Sequence, residues 1–472
     1  MQTQQTVLDF LDHHDEKLSY LAREIWAHPE IALEERFACG LLANELEAAG
    51  FTVERGIGQL PTAFMASWGS GAPIIGILGE YDALPGLSQQ LSAERSPIQN
   101  GGPGHGCGHN LFGVACLGAA MALKTAMQEQ QLAGTIRFYG CPAEETLVGK
   151  TFMAKAGVFD DLDAALAWHP GEINAVWASS CLAMYSFKVN FHGVSSHAAA
   201  DPHNARSALD GAQLMDIGVN YLREHIIPEA RIHSVITSGG QAPNVVPAYA
   251  QIWYFVRAPR REQVAEIYAR VLDIAKGAAL MSGTTYDIDF LTGCAELLPN
   301  LVLSKLMYEK MQVVGNLSFT DEEQAFAKQL QDTFAPGTLE AAFEITQRQV
   351  SSELDRAMLA TPLWEQILPH IETPLVMPGS TEVGDVSQIT PTGQLTTCCW
   401  PLGTPGHSWQ IVASSGSSIG FKGMQLAAKA LALSGLDLLT QPDLLAAAQA
   451  EFKRKTNGRP YVSPLPDGAL PH

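Results

Sequence analysis

The sequence predicts an α/β protein: a domain with a mostly parallel central sheet flanked by helices, interrupted by an inserted α+β domain. Three observations predict it. Apolar strand-like runs alternate with helix-patterned segments through roughly the first 180 residues. The rhythm then becomes half-buried alternation, over about 110 residues, in the ferredoxin-like order β-α-β-β-α-β. Runs of the first kind resume afterwards, so the middle block reads as an insertion.

Residues 7–50 read as helices: "SYLAREIWAHPE" has helical apolar spacing, and "FACGLLANELEAAG" ends on Gly50, a suitable C-cap. "FTVERG", "AFMASWG" and "PIIGILGEYDAL" read as strands, the last apolar enough to be central. After a glycine-rich stretch, "LFGVACLGAAMALKTAMQEQ" is a helix, "TIRFYGCPAEE" a strand, "FMAKAGVFDDL" a short helix and "AALAWHP" a buried strand. The middle block gives "MYSFKVNFHG", "RIHSVITSGG", "AYAQIWYFVRAP" and "TTYDIDFLTGC" as strands, with helices over "ARSALDGAQLMDIGVNYLREHI" and "REQVAEIYARVLDIAKGAALMSG". "PLVMPGSTEVGDVS", "QLTTCCWPLG" and "SIGFKGMQLAAKALALSGLDLL" look like further strands and a helix of the first domain. The first domain is accordingly assigned residues 1–182 and 299–472, the inserted domain residues 183–298, and the Pro-rich tail an irregular course.

A chain of 472 residues with 46% hydrophobic residues is large and apolar enough for a sizeable core. Its formal net charge of −20 argues against a nucleic-acid partner, which needs basic patches, without excluding a small anionic substrate. The N-terminus is polar, and no uninterrupted apolar run of about 18 residues stands out, so neither a signal segment nor a membrane span is expected. The eight cysteines form no C-x-x-C pair; a reducing, cytoplasmic setting is the reading.

Catalytic groups of α/β sheets gather on loops at the carboxyl ends of strands. Metal-competent side chains stand at five such loops: Asp82, the pair Cys107 and His109, the pair Glu144 and Glu145, His169, and His407. His13, His14, His225 and His233 read instead as polar surface. In extended backbone, residues i and i+2 point the same way, so Cys107 and His109 can approach one centre. Thiolate, imidazole and carboxylate are all zinc ligands. Cys107, His109, one of the Glu pair, His169 and His407 make five, and the other glutamate is free to act as a base. Two rivals are weaker. "GSSIG" matches a serine-nucleophile pattern at Ser418, but the only later histidine is His472. A nucleophilic Cys107 would leave Glu144, Glu145, His169 and His407 without roles.

The phrases "LGEYDALPGLSQ", "GHGCGHNL", "IRFYGCPAEE", "GKTFM", "GVFDD", "WHP", "HAA", "RSALD", "PNVV", "STEVGDVS" and "GTPGHSWQ" occur in this order. With them the chain resembles the two-metal exopeptidases and amidohydrolases typified by aminoacylases and glutamate-releasing carboxypeptidases. It is most similar to the branch that hydrolyses N-acyl amino acids and carries a Cys-Gly-His motif. The resemblance implies a zinc-exopeptidase-like catalytic domain with an inserted lid or dimerisation domain. It implies Cys107, His109, Glu145, His169 and His407 as ligands of two divalent ions, zinc or manganese. Glu144 is implied as the general base for a hydroxide bridging the metals, and Asp82 as a carboxylate behind the ligands. His197 is implied as the oxyanion donor, often across a dimer interface. Asn244 and Arg257, and more weakly Arg206, are implied to hold the substrate's carboxylate. Cys107 departs from the carboxylate ligand of many members. The implied activity is amide hydrolysis of p-aminobenzoyl-glutamate or a similar acyl-glutamate. The alternatives are a dipeptidase, an indole-acetyl-amino-acid hydrolase and a non-catalytic binding protein within a larger hydrolase. A homodimer, or a heterodimer with a related chain, is the implied assembly.

Overall fold

The run "PIIGILGE" becomes the strand Ile74–Glu80, buried almost throughout because both its faces are covered. A computed structural model describes residues 2–349, 356–370, 372 and 375–471. Contacts divide the chain into two units. The first is Met1–Ser179, Leu298–Leu375 and Val386–Tyr461; the second is Ser180–Leu297, Val376–Asp385 and Val462–His472.

The first unit holds a mixed sheet. Its strands run, side by side, Thr52–Arg55, Phe64–Ser70, Gly134–Cys141, Ile74–Glu80, Ala164–Gly171, Thr392–Cys398 and Ala175–Val176. The four central strands are mutually parallel, with Ile74–Glu80 between Gly134–Cys141 and Ala164–Gly171, and Thr392–Cys398 next to Ala164–Gly171. Their carboxyl ends therefore open on one side of the sheet. The helix His109–Gln130 packs on this sheet. It is long and apolar enough by composition alone to cross a membrane, a run the sequence reading passed over, but 83% of its apolar window is buried inside the protein. Trp168 from the strand Ala164–Gly171 donates its indole N–H to the Phe112 carbonyl of that helix at 3.1 Å.

The second unit has an antiparallel sheet in the order Thr285–Cys294, Ala183–His192, Tyr249–Ala258, Arg231–Ser238. Two helices, Ala208–Leu222 and Arg261–Ser282, complete the β-α-β-β-α-β sequence. Alternation explains it: Ala250, Ile252, Tyr254, Val256 and Ala258 fill the core while Gln251, Trp253, Phe255 and Arg257 face the other way. Val235 and Ile236 lie exposed on the edge strand.

Two segments depart from the expected domain assignment. "PLVMPGSTEVGDVS" was expected to be a strand of the first domain. Instead Val376–Met377 pairs in parallel with Ser180–Cys181, and Val376–Asp385 joins the second unit. The tail from Val462 joins it too, where the Arg261 guanidinium donates to the Val462 carbonyl. Neither attachment has a periodicity that the chain could announce. Three helices, Leu301–Val314, Asp321–Gln331 and Thr338–Gln349, were also not anticipated.

Gly149 opens the helix Gly149–Lys155, and a Cβ there would stand 1.8 Å from the Pro142 carbonyl oxygen, a backbone atom that cannot swing aside. Gly149→Ala is expected to destabilise the protein by about 1–3 kcal/mol. A lowered urea midpoint would show this; an unchanged midpoint would mean that the loop before the helix is soft.

Candidate metal centre

Four strand ends and the loops after them build the centre. Ile74–Glu80 delivers Glu80 and, two residues on, Asp82 on the same face. Tyr81 between them is buried and donates to the Thr62 carbonyl at 2.5 Å, which anchors the turn. The glycine-rich stretch returns as a loop: Leu84 and Gly104 exchange backbone hydrogen bonds of 3.1 and 2.9 Å. Gly108, at φ 76°, then starts the helix His109–Gln130. A Cβ at Gly108 would press on Pro170 and Trp400 at 2.9 Å, so only glycine fits between Cys107 and His109.

After Gly134–Cys141 the chain passes Ala143 at φ 55° and Leu147 at φ 57°, left-handed backbone for residues that carry a Cβ. Buried acceptors hold this loop. Glu35 accepts the Ala143 N–H at 2.8 Å, and Asp82 Oδ2 accepts the Glu145 N–H at 2.9 Å. Sequence reasoning missed Glu35, whose carboxyl burial pushes up to about 7. His407 also sits at positive φ, 52°, just before the Ser408 cap of helix Trp409–Ser415.

The expected ligands converge. Cys107 Sγ is 3.4 Å from His169 Nε2, and His407 Nε2 is 3.3 Å from Glu145 Oε2. Cys107, His109 and His169 can place one ligand atom each within 4.8 Å of one another. Cys107, Glu145 and His407 can do the same, so the thiol is common to both groups. Tautomers are set from behind. His109 Nδ1–H donates to Asp82 Oδ1 at 2.9 Å and His169 Nδ1–H donates to the Pro170 carbonyl at 2.7 Å. Each ring is left with an Nε2 lone pair facing the centre.

Electrostatics fit a cation as well. His109 Nε2 and Glu145 Oε1 are buried and make no hydrogen bond among the described residues. Burial pushes the Glu145 carboxyl up to about 9, and the carboxylates of Asp82, Glu144 and Glu80 add to the rise although His109 opposes it. Burial raises the Cys107 thiol, which speaks against a free thiolate nucleophile. Burial, with His109 adding to it, lowers His169 to about 3, so that ring is neutral and ready to ligate. Burial opposes the Asp82 charge, yet its hydrogen bond from His109 holds the carboxyl below its ordinary range.

Sequence reasoning also missed Glu80 and Lys150. Lys150 Nζ lies 2.7 Å from Glu80 Oε1, both side chains essentially buried, and Glu80 Oε2 lies 3.4 Å from His109 Nε2. The i, i+2 spacing of Glu80 and Asp82 was a usable signal; nothing local marks Lys150. The serine rival fails on geometry, because Ser418 donates to the Glu323 carboxylate at 2.6 Å rather than facing an imidazole.

The remaining expected residues belong to the second unit. His197 Nδ1 accepts the backbone N–H groups of Ala199 and Ala200 at 3.2 and 3.1 Å, which leaves its Nε2–H as a donor. Asn244 is its neighbour: its carbonyl accepts the Ala198 N–H at 3.0 Å. Arg257 lies at the other end of the strand Tyr249–Ala258, roughly 27 Å from Tyr249 at about 3.4 Å per residue, and donates to Ser380 Oγ at 2.8 Å. One chain's Arg257 and Asn244 therefore cannot grip the same carboxylate. Arg206 spends its guanidinium on the Ala205 carbonyl at 2.6 Å and the His203 carbonyl at 3.4 Å.

Comparison with known proteins now adds to the geometry. Residues 183–280 match the peptidase dimerisation domain of M20 peptidases. The chain is 43% identical to one of the two chain types of the p-aminobenzoyl-glutamate hydrolase of Escherichia coli, over 98% of this chain and 97% of that protein. The chain belongs to the M20 peptidase family. It is also 30% identical to a mouse Xaa-Arg dipeptidase, over 94% of this chain and 91% of that protein. Its fold is that of a Bacillus subtilis protein described as a dinuclear metal binding peptidase of the M20 family. That match has TM-score 0.57 and 17% identity, and covers 91% of this chain and 99% of that one. This M20 member is thus a hydrolase of amide bonds, with candidate metal-ligand groups at its strand ends and a dimerisation domain in its second unit.

Filling the centre must expel protons from Cys107 and Glu145, whereas His169 has none to lose. The loaded form holds fewer protons, so zinc affinity is expected to rise with pH, by up to about tenfold per unit for each proton displaced between about pH 6 and 8. Zinc titrations at several pH values check this; affinity that is flat with pH would contradict it.

Proposed function

We propose that this M20 hydrolase cleaves the amide bond of N-acyl amino acids, with p-aminobenzoyl-glutamate or a similar acyl-glutamate as substrate. The reading rests above all on the convergence of Cys107, His109, Glu145, His169 and His407, drawn from separate strand ends and loops, around one buried carboxylate pair. The end-to-end likeness to a chain of an aroyl-glutamate hydrolase supports the substrate class.

The five residues would hold two divalent ions, zinc or manganese; when bound, such ions acidify a shared water and polarise an amide carbonyl. The chain's own groups do the rest. Asp82 and the Pro170 carbonyl hold His109 and His169 in the ligating tautomer. Glu144, 8% exposed and with Oε2 3.9 Å from His109 Nε2, takes the proton from the attacking water and passes it to the leaving nitrogen. His197 offers its Nε2–H to the developing oxyanion. Arg257 clamps the substrate's terminal carboxylate. His197 and Asn244, at the far end of that strand, serve the site of a partner in a homo- or heterodimer. The exposed edge-strand residues Val235 and Ile236 are consistent with such pairing. The cytoplasm is the proposed location.

Glu144→Gln should keep metal occupancy while kcat falls by about 100- to 10,000-fold. Substantial turnover by that variant, with metals bound, would remove Glu144 from the role of base. Arg257→Ala should raise KM steeply for a free-acid N-acyl amino acid and little for its amide; equal effects on both would take away the clamp.

A further inference from the structure

Two possible cation positions compete for one nitrogen. His109 Nε2 belongs to the group with Cys107 and His169, and it also belongs to a group with Glu80 and Glu144. A single lone pair can serve only one of them. In the first arrangement Glu144 stays free. In the second, Glu144 is consumed as a ligand together with Glu80, whose Oε2 lies 3.4 Å from His109 Nε2, while Glu144 Oε2 lies at 3.9 Å. By charge the second is attractive, since two carboxylates and an imidazole make a good site for a hard or borderline cation.

Lys150 stands on the other side of Glu80. Its ammonium is 2.7 Å from Glu80 Oε1, and it is among the largest fully buried side chains in the protein. Burying a lysine this deeply is costly unless its charge is answered, and a lysine is not needed to fill space in a helix. The helix that carries it is fixed by the close approach of Gly149 to Pro142, in the loop that leads to Glu144. The clamp and the base are thus held by one piece of backbone.

We propose that Lys150 is a positioning residue whose ammonium clamps Glu80 and repels a cation from the Glu80–His109–Glu144 position. Metal is thereby directed to the thiolate side of His109, and Glu144 is kept free. The proposal rests on the reading of Glu144 as the base. Its metal-placement half stands apart from that reading and is tested apart.

The test uses the full chain loaded with cobalt(II), comparing wild type, Lys150→Met, Lys150→Arg, Glu80→Gln and the double variant Lys150→Met/Glu80→Gln. Cobalt stoichiometry and the visible spectrum report where the ion sits; kcat and KM are measured on an N-acyl-glutamate. For Lys150→Met the thiolate-to-cobalt absorption should weaken in favour of oxygen-rich coordination, and kcat should fall by about 10- to 100-fold with KM little changed. Lys150→Arg should retain most of both properties. The double variant should recover the thiolate band and most of kcat, because the unclamped carboxylate is gone. A wild-type spectrum in Lys150→Met overturns the proposal. So does a double variant that folds but recovers neither the band nor kcat. Should Lys150→Met fail to fold, the double variant, with no charge left buried at this pair, still decides. If Glu144→Gln proves active, the base reading falls while the spectral shift still reports on Lys150.

Discussion

Everything at the centre follows from carboxylate crowding. Glu80, Asp82, Glu144 and Glu145 converge on one fully buried imidazole, His109. In a low-dielectric interior four such groups cannot all stay ionised without cations to answer them. The chain answers part of that charge with Lys150 and His109. The rest shows as a Glu145 carboxyl that burial and its acidic neighbours push up to about 9. A site in this state is poorly balanced by itself and well suited to small divalent ions. The same crowding explains why His169 is kept neutral: its one backbone hydrogen bond goes to a carbonyl rather than to an acid.

The supports behind the ligands are as specific as the ligands. Asp82 uses both oxygens, one for the His109 ring and one for the Glu145 amide, and so links two loops that are 63 residues apart in sequence. Glu35 performs a comparable task from the N-terminal helical region, tying Ala143 to Leu33 and Thr62. The left-handed backbone at Ala143, Leu147 and His407 is tolerated because such anchors over-determine it. Side chains bound this way lose little freedom when a ligand arrives, which favours tight and geometrically selective metal binding.

Much of this could be read from the chain. Apolar runs ending in acids, histidines or Cys-Gly-His located the strands Ile74–Glu80, Gly134–Cys141 and Ala164–Gly171 and the loops after them. Alternation located the second unit's sheet. The unread parts share a cause: their partners lie far away in sequence. Lys150 looks like any helical lysine until Glu80 is placed beside it. Val376–Met377 is too short to have a period and owes its strand character to Ser180–Cys181. The helix Asp321–Gln331 was readable, since Thr320 and Glu323 form a capping box, but no functional residue drew attention to it. Arg257 and Asn244 shared one expected role because sequence adjacency hides strand length; thirteen positions apart along the chain, they end at opposite ends of a strand.

The second unit is stitched from three stretches, and the last of them starts at Val462, beyond the final long helix of the first unit. During synthesis its sheet can form early, but its last strap emerges only after nearly every other residue has left the ribosome. Closing that loop spans a large sequence separation and is entropically late. A C-terminal fusion or trimming enzyme would therefore disturb the second unit, not the metal-bearing one that immediately precedes the tail.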